Sequence, residues 1–222
     1  MKRYLISLSA FACVAAPVAA NAAQLVVSSY DTPNGDGQAH GGSYNYWDKN
    51  YTGSGAKTTD GALLSGGVGD LTDGVVASDF WYNVENAAGE GPYVGWVAGS
   101  TLNPTVTFNL LGTPTVNQIR VHLDNSRVGG VFSPAAILID GVNTAFTGPA
   151  NGSIGWVTFS GLNLTGSSHS IEFQQDLNGW VFVSEVQFLG AGIPEPAAWA
   201  MMLAGFGMVG GAVRRRNKLQ IA

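Results

Sequence analysis

The chain has little charge and almost no cysteine. Charged residues make up 11 % of its 222 positions, and Cys13 is the only thiol. One cysteine excludes an intramolecular disulfide framework. Basic residues are scarcer still where they would matter for binding. Six of the ten Lys and Arg sit near the two ends, as Lys2, Arg3, Arg214, Arg215, Arg216 and Lys218. The stretch between keeps Lys49, Lys57, Arg120 and Arg127 against 14 acids, a net charge of −10. Phosphate recognition needs a basic face, so no nucleic-acid partner is expected. Cations, neutral glycans and polar surfaces are compatible with this balance.

Catalytic patterns are also missing. The sequence has no HExxH, no G-x-S-x-G elbow and no phosphate-binding loop. His40, His122 and His169 lie too far apart in sequence for metal-ligand spacing. The expectation is a protein that is not an enzyme. Nor is there a sustained amphipathic helical pattern between Gln24 and Gly192. Thirty-one glycines with many Ser, Thr and Asn point instead to a loop-rich β protein.

Hydrophobic alternation places several strands. Thr105–Leu110 is apolar at 106, 108 and 110. Val116–Leu123 continues the period, with Ile119, Val121 and Leu123 inward and Arg120 and His122 outward. Ala135–Ile139 is a continuous apolar run ended by Asp140-Gly141 and reads as a more buried strand. Leu25–Val27, Trp156–Phe159 and Ser170–Gln174 are further candidates. In the last run, Trp180, Phe182, Ser184, Val186 and Phe188 share one face, and the strand is expected to become exposed at Ser184-Glu185. Residues 31–69 are rich in Gly, Asn, Ser and Tyr without alternation, as long loops or short strands. Asp31 to Gly37 holds several oxygens but does not fit an EF-hand loop and reads as a turn. Seven or eight short strands with regular turn residues imply an antiparallel sandwich or jelly roll.

Both ends read as targeting segments. Met1-Lys2-Arg3 is a basic start, Tyr4 to Ala16 is apolar, and Ala20-Asn21-Ala22 fits an A-x-A cleavage site, so residues 1–22 read as a signal peptide that carries Cys13 away. At the other end an uncharged run of 17 residues, Ala197 to Val213, precedes Arg214-Arg215-Arg216. As a helix it would span roughly 25 Å at about 1.5 Å per residue, enough for a single membrane crossing with the arginines on the cytoplasmic side.

Pro194-Glu195-Pro196, Trp199, the GFG of the apolar run and the three arginines together resemble the PEP-CTERM sorting signal in its PEPxxWA form. The resemblance implies recognition by an exosortase-type membrane processing enzyme. The chain would be exported across the inner membrane and held there transiently before reaching the cell envelope or extracellular matrix.

A second resemblance covers roughly Gly69 to Phe188. Leu71-Thr72-Asp73-Gly74 with Trp81 downstream, PTVTFNL, VNQIRVHLDN, SPAAILIDG and WVFVSEVQF occur in the order of discoidin-type domains, which are similar to galactose-binding domains. The Asp-Gly to Trp spacing is one residue longer than usual there. The implied fold is an all-β antiparallel jelly-roll sandwich over residues 23–192, flanked by a signal helix, the sorting signal and transmembrane helix (193–216) and a cytoplasmic tail (217–222). The resemblance also implies a structural calcium ion held by Asp73, Ser78 and Glu185, with Asp70 as an addition. Such an ion wants six to eight oxygens, which a Gly-rich loop with carboxylates can offer. The plainer reading is that Asp73 shapes a turn and Glu185 is a solvated strand residue.

Aromatic residues are the remaining feature. Tyr44, Tyr46 and Trp47 stand among polar neighbours and are candidates for stacking on sugars, with Arg120 and His122 as possible hydrogen-bonding partners. Trp81, Trp96 and Trp180 read as core. The sequence thus points to a non-catalytic module for a cell-surface or matrix polysaccharide. The alternatives are a structural or adhesive envelope protein without a sugar site, or a small glycan hydrolase.

Overall fold

The computed structural model describes residues 22–37, 42–175, 179–190 and 205–208. Ala20 of the cleavage site, the sorting residues Pro194, Glu195, Pro196, Trp199 and Arg214 to Arg216, and most of the apolar run lie outside the described residues. Ala22 is described and exposed. Residues 205–208 are helical, and among the described residues no helix is long and apolar enough to cross a membrane.

Ala22–Ala191 forms one compact unit. It contains strands β1 (Ala23–Gln24), β2 (Val27–Pro33), β3 (Leu63–Gly67), β4 (Val94–Val97), β5 (Thr105–Leu110), β6 (Thr115–Asn125), β7 (Ala136–Ile139), β8 (Val142–Asn143), β9 (Ser153–Thr165), β10 (Ser168–Gln174) and β11 (Trp180–Gly190). One helical turn, α1 (Trp81–Val84), precedes β4. The strands make two antiparallel sheets. One runs β1-β11-β6-β9 with β4 also paired to β11, and the other runs β3-β2-β5-β10-β7-β8.

Alternation along the strands builds the core between the sheets. Val106, Phe108 and Leu110 of β5 meet Ile119, Val121 and Leu123 of β6, with Ile171 and Phe173 of β10 and Phe188 of β11. Each such side chain removes apolar surface from water at about 25 cal/mol per Å². β7 departs from its expected depth: its residues alternate between buried and half-buried, because only the two-residue β8 lies beyond it.

β11 corrects the sequence reading more sharply. A bulge between Val183 and Glu185 breaks strict alternation. Val181, Val183, Val186 and Phe188 consequently face the main core, while Phe182 turns to a second cluster with Tyr46, Trp81 and Tyr93. Ser184 and Glu185, expected to be exposed, are both 0 % exposed. The loop over residues 69–78 lies against them: Val186 N–H donates to Leu71 O, Gly74 N–H to the Glu185 carboxylate, and Ala77 N–H to Ser184 Oγ.

Several residues of the polar stretch before residue 69 are also buried, among them Asn34, Asp36, Asn45 and Asp48. Asn34 accepts from the N–H groups of Gly35 and Asp48, and Asp36 accepts from Val97 N–H at 2.7 Å. The Tyr30 hydroxyl donates to Asp48, and the Tyr51 hydroxyl to Tyr30 O. Side-chain oxygens here replace a ladder in satisfying buried backbone donors.

Candidate functional site

Two features at the ends of these strands carry chemistry. The first is a group of acids around the 69–78 loop. Asp48, Asp70 and Glu185 are buried, Asp73 is exposed, and Glu85 lies buried at the end of α1. Burial is the main cause of every shift among them. It pushes Asp48 up to about 6, against the Tyr30 hydroxyl and the Asp70 N–H that favour its ionised form. Asp70 rises to about 7, with the Asp48 charge adding to burial. Glu185 rises to about 7 despite the Gly74 N–H, and Asp73 adds to the shift. Glu85 rises to about 8, although Tyr93 N–H donates to it at 2.8 Å.

The sequence-predicted metal residues are only partly brought together. Asp70 and Asp73 lie in the loop that docks on Glu185, whereas exposed Ser78 makes no hydrogen bond to any of them. Among the described residues, no three His, Cys, Asp or Glu side chains converge as a metal site by themselves. Three buried oxygens of this loop and strand nevertheless lack a hydrogen-bond partner: Asp70 Oδ2, Thr72 Oγ1 and Glu185 Oε1. Hard oxygens left without hydrogen-bond partners suit a hard cation completed by backbone carbonyls. Thr72 was not legible as a member of this group. Its hydroxyl is marked only by position, one residue before Asp73-Gly74.

The second feature is an aromatic cluster at the loop end of the sandwich. Tyr46, expected at the surface, is 2 % exposed and packs at 4.5 Å on Phe182, 5.1 Å on Trp180 and 5.8 Å on Trp81. It therefore supports the site and does not face a ligand. Its polar sequence neighbours misled because Asn45 is itself buried, donating to Ala87 O. Tyr44 is half-buried, lies parallel to Tyr46 and meets Trp81 edge-on at 5.1 Å. Tyr82 and Trp180 complete a half-buried rim, and Tyr82 stacks on Phe80 at 5.5 Å. Asp79 fixes the turn by accepting from Phe80 N–H and from Asn83 Nδ2. Arg127, in the left-handed region at φ 66°, holds its guanidinium over Phe132 in a neighbouring loop. Tyr82, Phe80 and Trp180 were missed as rim residues. The adjacent aromatics Phe80-Trp81-Tyr82 were the available indication.

The other expected glycan contacts lie elsewhere. Trp47 is half-buried against Gly37 and donates through Nε1 to Asp60 at 2.8 Å. Arg120 and His122 are on the outer face of β6. His122 does point outward but is buried, with Nδ1 2.8 Å from Ser184 Oγ and Trp156 edge-on at 5.2 Å. Burial, followed by the Arg120 charge, lowers its pKa to about 4. A direct His122 contact with a ligand is thereby removed.

A model of the DS-like domain of discoidin domain-containing receptors 1 and 2 matches residues 26–149. A model of the PEP-CTERM protein-sorting motif matches residues 192–216. No curated protein matches the chain in sequence. Among solved structures it is similar to truncated AlyQ with CBM32 and alginate lyase domains, at 16 % identity and a TM-score of 0.43, covering 80 % of this chain. It spans only 35 % of that AlyQ chain. The Streptococcus pneumoniae beta-galactosidase BgaA is similar at 14 % identity and a TM-score of 0.37, over 54 % of this chain and 82 % of the other. The family 32 CBM of C. perfringens NanJ, in complex with galactose, is similar at 17 % identity and a TM-score of 0.32, over 45 % and 79 %. At these levels none of them says what this chain binds.

Proposed function

This chain belongs to the discoidin DS-like domain family and carries a C-terminal PEP-CTERM sorting motif, and we propose that it is an exported, non-catalytic carbohydrate-binding protein of the cell envelope or extracellular matrix. The supporting observation is the half-buried rim of Tyr44, Tyr82 and Trp180 around the buried base of Tyr46, Trp81 and Phe182. Aromatic faces suit the C–H faces of sugars, and a rim held by ring-on-ring packing loses little freedom on binding. Asp79, Asn83 and Arg127 supply polar groups for hydroxyls at the same end. Catalysis plays no part in this reading.

A calcium ion belongs to the same proposal. Asp70, Asp73 and Glu185 would hold it with Thr72 Oγ1 and loop carbonyls, and it would supply positive charge that fastens the 69–78 loop to β11. An exosortase-type enzyme would act on Pro194-Glu195-Pro196, with the apolar run anchoring the precursor in the inner membrane until then.

Glycan-array screening of the full-length protein in mild detergent should identify a retained sugar, and Tyr82→Ala should weaken its binding about tenfold, as loss of one stacking contact would. No retained glycan, or full affinity in the variant, would move the reading to a structural envelope protein. Replacing Glu195 with Ala should leave the full-length precursor in the inner-membrane fraction. Unchanged processing on a blot would remove the sorting step.

A further inference from the structure

The outer face of the β11-β6-β9 sheet carries a cation that the loop-end reading does not use. Arg120 pairs with Gln187 of β11 on one side and Thr158 of β9 on the other. Its guanidinium carbon sits 4.2 Å above the Trp156 ring, and one N–H donates to Gln187 Oε1 at 3.3 Å. Stacking fixes the plane of the guanidinium, and four of its five N–H groups are left for another partner.

None of those donors meets an acid among the described residues. The ion pairs among the described residues are Lys49–Glu90 and His169–Asp140, and neither involves Arg120. The ladder neighbours on this face are Gln187, Thr158, Trp156, Gln118 and Ser160, and all are uncharged. Glu185 lies opposite His122 in the next row, but its carboxylate is buried beneath the Gly74 N–H. In a domain of net −10, Arg120 is thus left without an acid partner among the described residues, although the buried Glu185 carboxylate lies beside Gln187.

We propose that this sheet face is a second carbohydrate site, selective for a uronate-bearing polysaccharide, in which Arg120 clasps the sugar carboxylate. A carboxylate matches the guanidinium fork in a two-bond, coplanar arrangement. Hydroxyl groups of the same chain meet Thr158, which is exposed, and the Gln118–Ser160 pair, whose side chains bond each other at 3.0 Å. A protein or membrane partner fits less well, because none of the large exposed apolar side chains lies on this face. A nucleic acid would need several cations, and here there is one. The net charge of the domain weakens long-range attraction, so binding depends on this one short-range contact. The site is independent of the aromatic rim and stands or falls separately from it.

The test is native affinity electrophoresis of the full-length protein in detergent through gels containing polygalacturonate, with chelator present so that calcium cannot bridge acid to acid. Polygalacturonate should retard the unmutated protein, and neutral dextran should not. Arg120→Gln should lower the association constant at least tenfold. Arg120→Lys should fall between, because it keeps the charge and loses the fork. Lys49→Gln, which removes a cation already paired with Glu90, should stay within twofold. Equal retardation of Arg120→Gln, no retardation of the unmutated protein, or equally strong retardation by dextran sulfate would each overturn the assignment.

Discussion

Raising the pH from 5.5 to 8.5 in the presence of chelator should lower the melting temperature of the protein by about 20 °C, with the steepest fall below pH 7. The folded state holds Asp48, Asp70, Glu185 and Glu85 protonated up to about 6, 7, 7 and 8. Unfolded, these groups ionise near 4. Between those limits the native state binds more protons than the unfolded state, so stability falls as pH rises, by up to about 1.4 kcal/mol per unit for each independent group. His122 works in the other direction. Its folded pKa of about 4 lies below the ordinary value of 6.5, so its contribution rises with pH across that interval and offsets about one acid. Above pH 7 the histidine no longer titrates and Glu85 is the main acid still to ionise, so the fall flattens. A loss of about 7 kcal/mol corresponds to about 20 °C for a domain of this size.

Calcium should oppose this fall. A bound cation favours the ionised carboxylates, and ligand that binds only the folded state adds stability as RT ln(1 + [L]/Kd). At pH 7.5, millimolar calcium should therefore raise the melting temperature by several degrees. Glu185→Gln is the informative variant. It keeps an acceptor for Gly74 N–H and removes the charge, so the domain should be more stable than the unmutated one in chelator and should no longer respond to calcium. A calcium titration without effect on the unmutated protein would leave an acid cluster with no ion. A flat pH profile in chelator would mean that the buried carboxylates are ionised with partners of another kind.

The sheets were largely legible in the sequence, whereas the sites were not. β5, β6, β10 and most of β11 announce themselves through period-two apolar residues, because one face of each packs on the same core. β3 and β4 escaped notice: Leu63–Gly67 and Val94–Val97 are short and glycine-containing, and pairing partners define them rather than any pattern of their own. The bulge at Val183/Glu185 was equally invisible, since a one-residue insertion depends on what opposes the strand. Burial of Asn34, Asp36, Asp48 and Tyr51 follows from side-chain bonds to distant backbone groups, such as Asp36 to Val97 and Tyr51 to Gly67. Such bonds leave no periodic trace. Tyr46 shows the consequence for function. Polar neighbours predict an exposed ring, yet Asn45 and Asp48 are buried too, and the ring becomes the floor on which Tyr44 and Trp180 rest.

That floor depends on a backbone crossing that tolerates no side chain, so Gly35→Ala should destabilise the domain by about 3–5 kcal/mol, the range of severe core disruption. Asp36 N–H donates to Gly95 O at 2.8 Å, and Tyr46 N–H donates to Asp36 O, so three chain segments meet at this point. A Cβ on Gly35 would stand 1.8 Å from Tyr46 O and 3.0 Å from Gly95 O. Both obstacles are main chain, so no rotamer change can make room. Relief requires the Tyr46 segment to move outward, and Tyr46 takes with it the packing of Trp81, Phe182 and Trp180. Gly95→Ala should cost less, because its Cβ at 2.3 Å meets the Phe182 ring, which can shift by rotation. Gly99→Ala meets nothing within 4 Å and should be neutral. The expected order of melting temperatures is therefore Gly99→Ala, then Gly95→Ala, then Gly35→Ala. Near-ultraviolet dichroism of the tryptophans should collapse, and any glycan retained at the loop end should be lost, in Gly35→Ala first. A Gly35→Ala protein melting within a degree of the unmutated one would show that this crossing does not hold the aromatic rim.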